Sequence, residues 1–328
     1  MKSLRDLKLY LGLSLVACTV SACNPSEHPR PRIAALLKSS TNPFFAMMWE
    51  GIKSEADRRG IDVQLYWGKK ESDFAFQSNF LKKEAQGFDG IIFAPSNPSE
   101  NASLLAKLKS QKKKIVILDE GVPVPSAQPT SRYYDTFIAT DNAAGGQIAA
   151  AYAAQHLTNH SRVTVLAGFD FDKPRTVAFK KALRSKFPDI KISEFAGYFD
   201  RQRTRAVVRR HLALFEGSDV IYCASDHMAL GVIQELPLAK HKHHPRIIGY
   251  DSIREAQEAI LQGTLAASVV QFPAKMGSDG VSAMDELLHG NKVPAQSLIQ
   301  PELSIRQATV QTVKLTTLLG DKPPGAYE

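Results

Sequence analysis

From residue 32 onward the chain alternates two hydrophobic patterns. Short runs of β-branched or aliphatic residues, continuous rather than alternating, are separated by longer segments whose apolar positions recur at helical spacing. The runs predict strands at 33–38, 62–66, 90–94, 115–119 and 137–140, and then at 162–166, 191–195, 220–224, 246–249 and 266–270. The longer segments predict helices at 44–59, 73–86, 98–111 and 143–158, followed by 175–186, 201–215, 226–236, 253–262 and 273–289. Continuous apolar strands are covered on both faces, and a helix between successive strands makes them parallel. Ten such strands form either one wide sheet or two of about five. The pattern restarts near Asp141, and 328 residues are enough for two domains, which favours two sheets. The expected fold class is α/β, with two similar doubly wound parallel-sheet lobes.

The first 31 residues stand apart from this rhythm. Lys2, Arg5 and Lys8 flank a 12-residue apolar run at 9–20. That is well short of the roughly 20 residues needed to span a bilayer, so 1–22 reads as a signal peptide. Val20-Ser21-Ala22-Cys23 resembles the bacterial lipobox. The resemblance implies cleavage before Cys23, diacylation of its thiol and acylation of the new amino group, and two or more acyl chains hold a protein stably on a membrane. The alternative is a soluble secreted protein in which Cys23 is incidental. Residues 23–31 are then a lipidated tether, proline-rich and extended.

Cleavage changes the charge balance. The whole chain carries +8; loss of Lys2, Arg5, Lys8 and Asp6 leaves 38 basic and 32 acidic residues, a net +6. No long basic tract remains to follow phosphates, so no nucleic-acid partner is expected. A composition 44% hydrophobic and 23% charged excludes a disordered or fibrous chain. Cys18 leaves with the signal, and Cys223 lies in an apolar stretch, which predicts a buried thiol with no disulfide and no zinc ligand set. His241-Lys242-His243-His244 reads as a solvated loop rather than a metal site, and Lys112-Lys113-Lys114 as a surface helix end suited to the helix dipole.

In open α/β sheets ligands bind beyond the carboxyl ends of strands. Those positions hold Asn42, Phe44 and Phe45 after the first strand, Ala94 and Ser96 after the third, Asp119 and Glu120 after the fourth, and Asp141 after the fifth. The second half adds Arg175, Phe199, Ser225, Asp251 and Gln271. Carboxylates, amides and a guanidinium suit a ligand with many hydroxyls, and phenyl rings stack on the apolar C–H face of a sugar or cyclitol. Phosphate would call for a glycine-rich loop or several cations. Several positions keep a second reading: Asn42-Pro43 as a helix-starting turn, Phe44 or Phe45 as core, Asp226 as a helix cap, and Arg175 as a surface helix residue.

These residues also carry a resemblance. Segments 40–45 (STNPFF), 116–119 (VILD), 139–146 (ATDNAAGG), 199–201 (FDR), 225–231 (SDHMALG), 249–251 (GYD) and 270–273 (VQFP) resemble type I periplasmic sugar-binding proteins, the ribose binders among them. The likeness runs over about residues 32–310. It implies two lobes joined by a three-segment hinge that close on a ligand. The implied division is 32–140 plus 272–300 for the N-terminal lobe, 141–271 plus 301–313 for the C-terminal lobe, and 314–328 for an exposed tail.

Carried over by position, the resemblance assigns Asn42, Phe44, Phe45 and Asp119 to the ligand in the first lobe. In the second it assigns Arg175, Phe199, Asp251 and Gln271, with Asp141 at the first crossover supporting the hinge or a hydroxyl. Three positions depart from the ribose pattern: Ala94 and Ser225 replace asparagines, and Glu120 replaces an arginine. Lost bulk at Ala94 and Ser225 implies room for a larger or differently substituted ring, and Glu120 is expected to accept from extra hydroxyls or face an amine. A site built to bond a hydroxyl rejects ligands that lack it.

The function implied is an extracytoplasmic, lipid-anchored solute-binding protein that delivers a sugar or sugar-like polyol to an ABC importer. The same closure read by a membrane histidine kinase or chemoreceptor is the alternative. Neither cofactor nor metal is called for, and a monomer is expected. Enzymatic work is not indicated, since the chain has no G-x-G-x-x-G, H-E-x-x-H or G-x-S-x-G motif.

Overall fold

The computed structural model describes residues 31–123, 132–236, 244–306 and 310–314. The signal segment, Cys23 with the tether as far as residue 30, residues 241–243 of the histidine run and the tail from 315 lie outside the described residues.

The strands are β1 (Arg32–Leu37), β2 (Asp62–Trp67), β3 (Gly90–Phe93), β4 (Lys114–Leu118), β5 (Thr136–Thr140), β6 (Arg162–Ala167), β7 (Lys191–Ala196), β8 (Val220–Cys223), β9 (Arg246–Asp251), β10 (Ala267–Val270), β11 (Gln296–Ile299), β12 (Glu302–Arg306) and β13 (Val310–Lys314). The helices are α1 (Pro43–Arg59), α2 (Phe74–Lys83), α3 (Pro98–Ser110), α4 (Asn142–Ala153), α5 (Pro174–Lys186), α6 (Arg201–Arg210), α7 (Leu212–Glu216), α8 (Asp226–Glu235), α9 (Arg254–Gln262) and α10 (Pro273–Leu288).

Two sheets result. One runs β11-β5-β4-β3-β1-β2 and is wholly parallel. The other runs β13-β12-β10-β9-β8-β6-β7; it is parallel from β10 to β7, while β12 and β13 are antiparallel. The ten-strand, all-parallel expectation is corrected here. The three further strands are short, and β11 has only one buried residue in four, so no continuous apolar run marks it. The helix expected over 201–215 breaks at His211 into α6 and α7.

Local chemistry explains how the elements begin and stack. Asn42 caps α1 by accepting from the Phe44 backbone N–H at 3.0 Å, and Pro43 follows at the first helical position, where its missing N–H costs nothing. Phe44, Met48, Ile52 and Ala56 recur every fourth residue and bury one stripe of α1. Gly51, on the same helix, permits close packing with α10: a Cβ there would lie 1.9 Å from the Ala274 carbonyl oxygen. Met276, Val281 and Met284 of α10 fill the core between that helix and the first sheet.

Among the described residues the chain crosses between the sheets three times: from β5 into α4, from β10 into α10, and from β11 into β12. Hydrogen bonds tie the crossovers together. Thr140 Oγ1 donates to the Gln271 carbonyl oxygen at 3.1 Å, and the Asp141 N–H donates to the Ile299 carbonyl oxygen at 2.9 Å.

Candidate ligand-binding cleft

Between the lobes lies a cleft of about 800 Å³, large enough for a small-molecule ligand. Its walls are the loops beyond the carboxyl ends of the strands. On the first lobe Phe44 and Phe45 meet edge to face with centroids 5.1 Å apart; each is at most 3% exposed, and each also belongs to the core. The two rings thus line the cleft and serve the core together. Asn42 faces the cleft too, its Oδ1 committed to the helix cap while Nδ2 donates to Glu71 Oε1 at 2.7 Å.

Asp119 follows β4 with φ +67°, in the left-handed region, while its N–H still donates to the Ile138 carbonyl oxygen of β5 at 3.0 Å. Its Oδ2 lies 2.8 Å from Lys38 Nζ, which also donates to Glu120 Oε2 at 3.1 Å and lies over the Phe45 ring. Burial alone would lower the Lys38 pKa, but Asp119, Glu120 and Glu71 outweigh it and hold the ammonium charged. Glu120 is raised by burial and brought below the usual carboxylate range by Lys38 and Lys173. Glu71, facing the cleft, is raised by burial, with Lys38 and Asn42 offsetting part of the effect.

On the second lobe Arg175 lies in the first turn of α5. Its guanidinium stacks 4.1 Å from the Tyr250 ring centroid, donates to the Ala224 carbonyl oxygen at 2.9 Å and lies 3.9 Å from Asp251 Oδ1. Asp251 accepts from Gln271 Nε2 at 2.6 Å, and both are almost fully buried. Burial, then the neighbouring Asp226, pushes the Asp251 carboxyl well above its ordinary range. Phe199, with φ +52°, lays its ring over Gly168, where a Cβ would come within 2.1 Å of the ring. Ser225 caps α8 by accepting from the Met228 N–H, and Asp141 caps α4 by accepting from the Ala144 N–H.

The sequence model of the family described as "Periplasmic binding protein domain" matches residues 33–292. The chain belongs to that family. The ribose import binding protein RbsB of Salmonella typhimurium is 26% identical over 310 residues, covering 94% of this chain and 99% of that protein. The D-allose-binding periplasmic protein of Escherichia coli is 29% identical over 296 residues, covering 88% and 93%. Among solved structures, an ABC transporter periplasmic solute binding protein of Actinobacillus succinogenes with bound D-allose superposes with TM-score 0.76 at 22% identity, covering 88% of this chain and 99% of the other. A solute binding protein of Agrobacterium vitis with bound D-fucose gives TM-score 0.77 at 23% identity, covering 84% and 96%. These likenesses establish the two-lobed periplasmic-binding-protein fold.

Within this family member the cleft gathers all eleven residues singled out from the sequence: Asn42, Phe44, Phe45, Asp119, Glu120, Asp141, Arg175, Phe199, Ser225, Asp251 and Gln271. Three expectations change in detail. Ala94 is fully buried and does not line the cleft; Gln77 Nε2 donates to its carbonyl oxygen, so lost bulk there opens no room for a ligand. Asp226 neither caps α8 nor lines the cleft: it is buried, accepting from the Ile253 N–H at 2.9 Å and Ser268 Oγ at 2.7 Å. Glu120, expected to meet hydroxyls or an amine of the ligand, has its two oxygens engaged by Lys38 and Lys173 of this chain.

Sequence reasoning missed Lys38, Glu71 and Lys173. Lys38 ends an apolar run at a strand terminus, the same signal that marked Asp119. Glu71 follows β2, an edge strand whose loop was passed over.

Proposed function

We propose that this chain captures a sugar or sugar-like polyol between its lobes and delivers it to an ABC importer outside the cytoplasm. The observation that carries the reading is the cleft itself, with phenyl rings on both walls and hydrogen-bonding groups of both polarities between them. Phe44 or Phe45 and Phe199 offer flat faces for the C–H side of a ring. Asp119 and Asp251 accept from hydroxyls while Arg175 donates, with Asn42, Ser225 and Gln271 completing the polar set. Asp141 supports the hinge from its cap position. Relatives named for ribose and allose binding support the ligand class and the importer as partner.

No bond is made or broken on this reading. A ligand touching both walls favours the closed arrangement by its differential affinity, and the permease reads that arrangement. Cys23 is the proposed lipid attachment site, anchoring the lobes through the tether on the outer side of a membrane. Loss of the protein from the membrane fraction in a Cys23→Ala variant tests the anchor.

The ligand class is tested by thermal shift over a panel of pentoses, hexoses and cyclitols. A true ligand at about 100 times its Kd adds roughly 2.7 kcal/mol to stability. A panel in which no member raises Tm would sink the reading.

A further inference from the structure

Glu120 and Lys173 stand on opposite walls of the cleft, after β4 and at the start of α5, and their side chains form an ion pair across it. Glu120 is held ready for this contact, since Lys38 takes its other oxygen and is itself locked by Asp119. Phe74 of the first lobe also meets Phe169 of the second, with ring centroids 6.0 Å apart. Lys173 also has a partner in its own lobe, the exposed Asp170, at 3.7 Å.

We propose that Glu120 and Lys173 form an electrostatic clasp that holds the closed cleft, so that affinity for an uncharged sugar depends on salt. The proposal rests on the sugar-binding reading and assigns both residues a positioning role rather than ligand contact. On opening, Lys173 keeps Asp170 and Glu120 keeps Lys38, so the clasp is an exchange of partners and its effect is moderate. Apparent affinity falls in proportion to the fraction of closed, binding-competent protein. Salt acts selectively: Lys173 is 40% exposed and its pairing is screened, whereas Lys38 and Asp119 are enclosed.

The test uses the mature chain and Lys173→Met, which keeps the aliphatic stem. Both are titrated calorimetrically with D-allose and D-ribose at about 0.05 M and about 1 M sodium chloride, conditions that change the screening length several-fold. The expected result is wild-type binding weakened about two- to five-fold by salt, and Lys173→Met equally weak at low salt with no further salt response. Asp170→Asn, which removes the competing partner, should bind more tightly than wild type. Lys173→Met with wild-type affinity and wild-type salt response overturns the clasp.

An Asp119→Ala arm separates the two claims. Loss of binding there alongside an unaffected Lys173→Met rejects the clasp alone. If neither sugar binds wild type, small-angle scattering of the ligand-free proteins decides: a larger radius of gyration for Lys173→Met at low salt supports the clasp, and equal radii at both salt concentrations reject it.

Discussion

Lys38 Nζ lies 2.8 Å from Asp119 Oδ2, and the two side chains are only 8% and 10% exposed. The pair is not symmetric in consequence, because Lys38 also serves Glu120 and offsets part of the rise that burial imposes on Glu71. Lys38→Met strands carboxylates in a half-dry cleft and should cost about 3–5 kcal/mol in urea unfolding. Asp119→Asn leaves Lys38 with Glu120 and keeps an acceptor oxygen, so it should cost clearly less while still weakening sugar binding. Equal stability of Lys38→Met and wild type would remove the lysine from the organisation of the site.

Arg175 is braced by the Tyr250 ring and the Ala224 carbonyl, which leaves its direction into the cleft fixed before any ligand arrives. Arg175→Ala should weaken sugar binding roughly 10- to 100-fold, about the worth of one charge-assisted hydrogen bond. Arg175→Lys keeps charge without the planar fork and should recover only part of that loss. Calorimetric affinity for the best sugar of the panel decides; unchanged affinity in the alanine variant counts against the assignment.

Asp226 and Asp251 are buried acids whose pKa values are raised, first by burial and, for Asp251, next by Asp226. In the unfolded chain such groups ionise near 3.8, while in the folded protein they hold their protons to higher pH. The native state therefore binds more protons above that point, and this contribution to stability falls as pH rises. Asp226→Asn should escape the effect. The stability of Asp226→Asn minus that of wild type should grow between pH 4.5 and 7, at no more than about 1.4 kcal/mol per pH unit for one proton. A difference that stays flat over this range would show that Asp226 ionises normally.

Gly51 marks the tightest contact between α1 and α10, with the Ala274 carbonyl oxygen 1.9 Å from where a Cβ would stand. Gly51→Ala must push the helices apart and should cost at least about 1–3 kcal/mol. A denaturation midpoint equal to wild type would mean that the interface yields freely.

Much of the fold was legible in the chain because burial on both faces leaves continuous apolar runs, and helices between them restore a second period. Short polar-rich edge strands such as β11 carry no such signal, and β12 and β13 take their direction from pairing with β10 rather than from local pattern. The positions of the cleft residues followed from the same logic, since a parallel sheet sends every strand end to one side. Lys38 ends its apolar run just as Asp119 does, so the same signal was present there, but that the two side chains face each other is not a local property.

The α/β plan, the side of each sheet on which ligand-facing residues lie and the residue types found there can be read along the chain, because the alternation of apolar strands and helices is a local property. Tertiary structure alone decided which of those residues are already engaged. Glu120, read as a candidate partner for hydroxyls, is occupied by Lys38 from its own lobe and Lys173 from the other. Asp226, read as a cap, is a buried acceptor for Ile253 and Ser268. Such pairings join residues 27 to 82 positions apart, and a charge becomes a ligand contact, a brace or a clasp only when the fold brings its partner within reach.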